Sequence, residues 1–411
     1  MQSTGIRYRK GLIEFPVWYV RGGTSTGLII REEDAPQSLR AREELLHLIL
    51  GIPSTGHIDH NRQLTGLGRG ISTSNKVFFV KETLSESGKV TLTSLFAQLS
   101  ATCPEVDWSV NCGNMTSAIP LWAFDYGLLD SSVEHPVVDI INENTGVKIT
   151  ARLNYSPNSG LNGVEIPGVH GEFPGVELFM HHPAGSKTGY LLPTGQVRDT
   201  INGIDVSCVD VAVPMVIVKA ESVGKSGHES IDDLAADKTL MDTLRDIRIE
   251  AGIRMGLKKN GIPLTREELA VSKTLPKVCL VSSPTTESGN ITARYFTPQE
   301  GHPSMAVTGA CCLAAACLID KSVARDVAIN APLPDDQTRE YPIAIDNPAG
   351  VMDTIVVGHT DNGGFVIQSA AYNRSAQILM QGWVPLFQPS SLLLEELKLN
   401  TASNNDTPSP A

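Results

Sequence analysis

From Ala310 to Ile319 the chain is apolar on every side, directly after a turn around Thr308 and Gly309. A helix with no polar face must be enclosed by protein, so Met305 to Ile319 predicts a helix at the centre of a domain. Asn111 to Leu129 reads the same way: a polar, glycine-containing turn followed by an almost uncharged helix. Short candidate strands flank both. Rich in Val, Ile or Phe and bounded by Gly, Pro, Asn or Ser, they run from Lys76 to Val80, Pro136 to Ile141, Val209 to Val218, Val278 to Ser282, Thr292 to Phe296, Thr354 to Val357 and Phe365 to Gln368. Two more helices are expected. One spans Gln37 to Leu50. The other spans Lys238 to Met255, with Leu240, Leu244, Ile247 and Ala251 on one face and Asp237 as N-cap.

This pattern allows two α+β architectures. Either two β-rich domains each wrap one central helix, or a single large fold holds two unrelated buried helices. The repeated turn-and-helix pattern favours the first, and 411 residues are more than one ordinary core accommodates. A polar tail, Thr401 to Ala411, can bury nothing and is expected to be disordered.

Composition limits the function. A hydrophobic fraction of 41% fits a globular protein, and a formal charge of −12 argues against nucleic acid or an anionic membrane as partner. An anionic small molecule stays open, because a few local cations can dominate a pocket. Seven scattered cysteines without a CxxC pair suit reduced thiols in a cytoplasmic protein. No apolar run reaches the roughly 18 residues of a membrane span. Arg7, Arg9 and Lys10 near the N-terminus precede no apolar leader core.

Four polar, glycine-rich segments can carry chemistry: Arg21 to Gly27, Gly66 to Lys76, Asn111 to Asn114 and His302 to Gly309. Lys76 joins a glycine-rich loop to an apolar strand, where burial would favour a neutral amine able to act as a general base. The same position also suits a lysine whose stem packs while its head reaches water. Cys112 stands at the mouth of the first buried helix, where a helix N-terminus stabilises a thiolate and its free N–H groups bind a carboxylate. A small cysteine filling space there is the plainer reading. Arg21 to Gly27, with Thr24 and Ser25 hydroxyls, forms either a carboxylate cradle or an ordinary hairpin turn; it lacks the phosphate-loop pattern. His57, Asp59 and His60, like His181 and His182, lack further ligands at a metal-site spacing and read as surface loops. No GxSxG elbow supports a serine hydrolase.

Taken together, these segments resemble the PrpF family of 2-methylaconitate cis-trans isomerases and their relatives, over about Val17 to Phe387. The family pattern R-[AG]-G-T-S-[KR]-G is similar to Arg21 to Gly27, and its glycine-rich stretch ending S-K-V is similar to Gly66 to Val77. N-C-G-N matches Asn111 to Asn114, and L-P-T-G matches Leu192 to Gly195. R-x-E-A-G-x-x-M-G-L matches Arg248 to Leu257, T-A-R-Y-F-T-P matches Thr292 to Pro298, and A-V-T-G-A matches Ala306 to Ala310.

The resemblance implies a diaminopimelate epimerase-like fold: two pseudo-symmetric domains, each a β-barrel-like sheet around a central helix, with the active site in the cleft between them. On this basis the N-terminal domain covers residues 1–190 joined by a segment at about 368–390, the C-terminal domain covers 191–367, and 400–411 form the tail. It also implies a cofactor-independent isomerase of an unsaturated di- or tricarboxylic acid, without a metal. Lys76 and Cys112 would move the proton. Arg21, Thr24, Ser25, Arg69, Ser72, Asn111, Gly113, Asn114, Thr194, Arg294, Thr308 and Gly309 would hold the substrate. A closed dimer is the default oligomer.

Racemases of this fold carry a second thiol at the second helix start. Here Ala306 occupies that position, which disfavours a two-thiol racemase. Thr26 stands where the family commonly has a basic residue, Arg69 where a glycine is usual, and Met305 where several relatives are polar. These departures imply a substrate unlike 2-methylaconitate, with a more apolar substituent. The alternatives are a 4-oxalomesaconate-type tautomerase, a methylitaconate-type Δ-isomerase, or a non-catalytic carboxylate-binding accessory of a dehydratase.

Overall fold

The computed structural model describes residues 5–84, 90–259, 261–272, 274–298 and 300–405. It is a sheet-rich α+β chain that divides into two compact units. The first consists of Met1–Glu165, Val169–Leu178 and Arg374–Ala411; the second of Ile166–Gly168 and Phe179–Asn373. The changeovers thus fall after Leu178 and Asn373, against the expected residues 190 and 367. Of the expected tail, 401–405 complete the helix Ser391–Asn405, and 406–411 lie outside the described residues. Among the described residues no helix is long and apolar enough to cross a membrane.

In the first unit, strand Leu12–Gly22 pairs antiparallel with Ser25–Arg31, Trp18 opposite Ile29. Ser25–Arg31 runs parallel to Lys76–Leu84, which is antiparallel to Val90–Leu99. Val90–Leu99 is parallel to Val137–Asn142, which is antiparallel to Lys148–Leu153. The second unit repeats this order. Ile204–Val211 is antiparallel to Val213–Lys219, then come parallel Lys277–Ser282, antiparallel Ile291–Thr297, parallel Arg339–Asn347 and antiparallel Gly350–Asp361. In both units the central helix is inserted between the fourth and fifth members of this series. The repeat aligns Lys76 with Lys277, each the first residue of its strand.

Alternation along the strands buries both faces of the first unit's sheet. Phe15, Val17, Leu28, Ile30, Val77 and Phe79 pack with Leu45, Leu46 and Ile49 of helix Leu39–Leu50. Their neighbours Trp18, Ile29, Phe78 and Phe96 are buried too. Trp18 meets Trp122 of the central helix edge-on at 5.9 Å. Each such large side chain contributes about 1.5–3 kcal/mol by leaving water. In the second unit every residue from Gly309 to Leu318 is buried, as an all-apolar helix requires. Helix Lys238–Arg254 is capped by the Asp237 carboxylate and buries Leu240, Leu244, Ile247 and Ala251.

Two expected elements differ. The first central helix is not continuous from Asn111 to Leu129; it forms Gly113–Thr116 and Ala118–Asp125, joined at Ser117. Pro120 has no N–H to donate to the Thr116 carbonyl, so the helical ladder is interrupted there. Gly127, at φ +86°, then turns the chain out of the helix. Val209 to Val218 is likewise two antiparallel strands, which reverse at Ala212 with φ +60°.

Candidate active site

Strand register decides what surrounds Lys76. Gly27 lies so close to it that a Cβ there would be 2.1 Å from the Lys76 carbonyl oxygen. Only glycine permits this approach. Across the antiparallel pair, Lys76 faces Gln98. The Lys76 Nζ donates to Gln98 Oε1 and sits 5.5 Å from the centroid of the Phe96 ring. Phe96 in turn packs on Phe78, with centroids 4.8 Å apart. The Gln98 amide nitrogen donates to the carbonyls of Asn75 at 3.1 Å and Leu99 at 3.2 Å. Asn75 is itself buried, with Oδ1 accepting from Gln63 Nε2 at 2.7 Å. The amine is half-buried, and among the described residues no carboxylate pairs with it.

The other end of the same hairpin meets the Asn111–Asn114 segment. A Cβ at Gly22 would lie 2.5 Å from the Asn114 carbonyl oxygen, and one at Gly23 2.5 Å from Asn114 Oδ1. Asn114 Nδ2 donates to Thr24 Oγ1 at 3.0 Å, while Asn114 Oδ1 accepts from Arg374 Nε at 2.9 Å. The Gly23 N–H donates to the Ser375 carbonyl at 2.9 Å. Ser25 is buried beside them, opposite Gly22 in the hairpin.

Arg21 Nη1 donates to the carbonyls of Gly23 and Ser375 at 3.0 and 3.1 Å, and to Ser375 Oγ at 3.2 Å. Its guanidinium carbon lies 4.6 Å from the Phe173 ring centroid. Nε and Nη2 are buried and have no partner among the described residues. Desolvation pushes this guanidinium down from its ordinary range, although Arg remains cationic. The two N–H groups of Nη1 are therefore committed to Gly23 and Ser375, and among the described residues the three on Nε and Nη2 have no partner.

Cys112 caps the short helix Gly113–Thr116. Its N–H donates to Asn111 Oδ1 at 2.7 Å, and its carbonyl accepts from the Thr116 N–H and Oγ1, both at 2.9 Å. This thiol is partly exposed. By contrast Cys208, Cys279, Cys311, Cys312 and Cys317 are buried. Burial pushes the Cys317 thiol up to about 12, and those of Cys208, Cys279 and Cys312 upward as well.

Not every expected residue joins this cluster. Arg69 is exposed and stacks on Tyr19, its guanidinium carbon 5.1 Å from the ring centroid. The side chain of Ser72 lies outside the described residues. Thr194, Arg294, Thr308 and Gly309 belong to the second unit. There Thr194 Oγ1 donates to Asp199 Oδ2 at 2.6 Å, and Arg294 donates to the carbonyls of Glu229 and Ala293 at 2.7 and 3.1 Å. Arg294 thus braces backbone, and burial lowers its pKa. Thr308 and Gly309 form the first turn of helix Val307–Leu318, where a Gly309 Cβ would be 2.5 Å from the Tyr295 ring. His57 Nε2 contacts Asp59 Oδ1 at 2.9 Å in an exposed loop.

Gln98, Phe96, Phe173, Arg374 and Ser375 were not anticipated. The only signal for the last two is the polar run Asn373-Arg374-Ser375 inside an apolar strand. Gln98 carries none, because its role depends on strand register. Lys277, equivalent to Lys76 by register, is also half-buried, and desolvation pushes its amine down from the usual lysine range.

A family described as PrpF protein matches residues 12–387. The 4-oxalomesaconate tautomerase of Pseudomonas putida is 31% identical over 376 residues, 91% of this chain and 96% of that protein. The 2-methyl-aconitate isomerase of Cupriavidus necator is 27% identical, over 90% of this chain and 97% of that protein. A crystal structure of methylitaconate-delta-isomerase superposes with a TM-score of 0.77 at 26% identity, covering 93% of this chain and 97% of that one. The motif set, the paired-unit topology and these likenesses agree: the chain belongs to the PrpF family and is an isomerase.

Proposed function

We propose that this isomerase moves a carbon-bound proton within an unsaturated di- or tricarboxylic acid of the aconitate, oxalomesaconate or methylitaconate type, with Lys76 as the base. The observation that carries this reading is the state of the Lys76 amine. It lies against Phe96, bonds a neutral amide and has no carboxylate partner among the described residues. An amine outside an ion pair can give up and regain a proton without breaking one.

In a conjugated acid, loss of a proton alpha or gamma to a carboxyl group leaves a dienolate spread over the carboxyl oxygens. That charge needs donors already in place. Arg21 supplies them, since its buried Nε and Nη2 lack partners among the described residues. A buried cation without an anion is unfavourable, and a substrate carboxylate would complete it. Cys112, partly exposed at the start of its helix, would return or relay the proton. Return to the far allylic carbon shifts the double bond. Rotation and return to the same carbon exchanges cis for trans. This chemistry needs neither a redox cofactor nor a metal. The free state of the seven cysteines suits a reducing compartment, and we extend the proposal to the cytoplasm.

The test is proton NMR in D₂O with aconitate, 2-methylaconitate, 4-oxalomesaconate and methylitaconate. The wild-type protein should place deuterium at an allylic carbon of at least one acid, and folded Lys76→Ala should not. Full exchange by Lys76→Ala would overturn the assignment of the base.

A further inference from the structure

We propose that Gln98 is a positioning residue, holding the Lys76 amine in place through a neutral acceptor and so setting the pH range in which the enzyme works. This rests on the reading of Lys76 as the base.

The amide of Gln98 has a fixed orientation. Its nitrogen donates to two backbone carbonyls, those of Asn75 and Leu99, so its oxygen must face the Lys76 Nζ. A flipped amide would aim N–H at an ammonium and leave both carbonyls facing an oxygen, which no hydrogen bonding could satisfy. One of those carbonyls, Asn75 O, also accepts the Leu99 N–H at 3.0 Å, which ties the strand end to the residue preceding Lys76. Gln98 therefore aims the amine as rigidly as a carboxylate would, without contributing a charge.

The surroundings make that neutrality consequential. Strand Val90–Leu99 contains no ionisable side chain. In Ser25–Arg31 the only one is Arg31, paired with Val80 at the far end and bonded to Asp34 Oδ2 at 2.7 Å. On the strand of Lys76 itself the next charged residues are Lys81 and Glu82, both exposed and opposite Thr93 and Leu92. Helices Gly113–Thr116 and Ala118–Asp125 contain only Asp125, at their far end from Cys112. One carboxylate does face this ladder: Asp107 stands opposite Gln98 on the strand Val106–Asp107, exposed and accepting from the Ser109 N–H and Oγ at 2.8 and 2.6 Å. The group at position 98 is the one bonded to the amine, so its charge acts on the lysine at the shortest range. A carboxylate at hydrogen-bonding distance stabilises an ammonium by the equivalent of about 1–3 pH units.

Gln98→Glu and Gln98→Met separate aim from charge. Two readouts apply: the rate against pH, and the modification of Lys76 by acetic anhydride at fixed pH without substrate, read by peptide mass spectrometry. In Gln98→Glu the rising limb of the rate profile should move up by about one pH unit or more, and Lys76 acetylation at pH 8 should slow about tenfold. In Gln98→Met the limb should not move up, while kcat falls about tenfold or more with KM little changed, because only the aim is lost. Acetylation at the wild-type rate in folded Gln98→Glu overturns the proposal, as does wild-type kcat in Gln98→Met. Should Gln98→Glu fail to fold, the kcat of Gln98→Met decides. Slowed acetylation with an unmoved rate profile would leave Gln98 in its role and refute Lys76 as the base instead.

Discussion

Arg374 Nε donates to Asn114 Oδ1 at 2.9 Å, joining residues 260 positions apart. Asn114 passes this hold to Thr24, so the returning C-terminal strand, the Asn111–Asn114 turn and the hairpin tip are bonded in series. Arg374→Ala should cost about 1.5–3 kcal/mol in urea denaturation, the range for hydrogen bonds to charged groups. It should also lower kcat/KM by about 10–100-fold through misplacement of the Cys112 turn. Arg374→Lys should recover little of either, since a flexible ammonium cannot reproduce the directed Nε–H.

Arg21 presents two buried nitrogens, Nε and Nη2, without partners among the described residues. Arg21→Gln should bind substrate carboxylate poorly, raising KM and lowering kcat/KM by roughly 100-fold, as expected for loss of a charge-assisted contact to an anion. Stability should hold or improve, because an uncompensated buried cation is removed. Steady-state kinetics and a thermal melt on the same preparation check both halves. A variant with unchanged KM would separate Arg21 from substrate binding.

Gly27→Ala places a Cβ where the Lys76 carbonyl oxygen already stands, 2.1 Å away. The two parallel strands must separate, at a cost of about 1–3 kcal/mol. Because the displaced strand carries the amine, activity should fall further than stability does. A crystal structure of the variant should show the shift at Lys76 directly.

Asp34 supplies a pH signature away from the site. Its Oδ2 accepts from Arg31 Nε at 2.7 Å, but Oδ1 is buried without a partner among the described residues. Burial, opposed by Arg31, pushes its carboxyl up to about 6. A raised carboxyl pKa means that the folded state prefers the protonated form. The stability this gives is complete below the ordinary carboxylate range and is lost as pH rises through about 6. Relative to Asp34→Asn, the wild-type protein should therefore lose about 2–3 kcal/mol between pH 4 and pH 7, measured by denaturant unfolding. A constant difference across that interval would refute the assignment.

Short-range physics made much of this protein legible. Two stretches without a polar face had to become enclosed helices, and the helix Val307–Leu318 is buried from Gly309 to its end for that reason. Asp237 before an apolar-periodic run specified a cap, and its carboxylate accepts the Leu240 N–H. Arg21 to Gly27 was legible as a polar, glycine-rich turn, whereas the close approach of Asn114 to Gly22 and Gly23, and of Lys76 to Gly27, is decided by packing.

What the chain could not reveal was who sits opposite whom. Lys76 meets Gln98 rather than Ala97 or Leu99 because of strand register, and a slip of one residue would turn every side chain to the other face. That register is set by simultaneous packing of Phe79, Val77 and Leu28 under one helix, and of Phe78, Phe96 and Trp18 on the other side. Likewise Arg374 reaches Asn114 only because the last long strand returns to pair Ala376 with Gly22. The residue types that can carry the chemistry are local information. The neutral partner of the amine and the open face of Arg21 arise from contacts between distant segments, which packing alone decides.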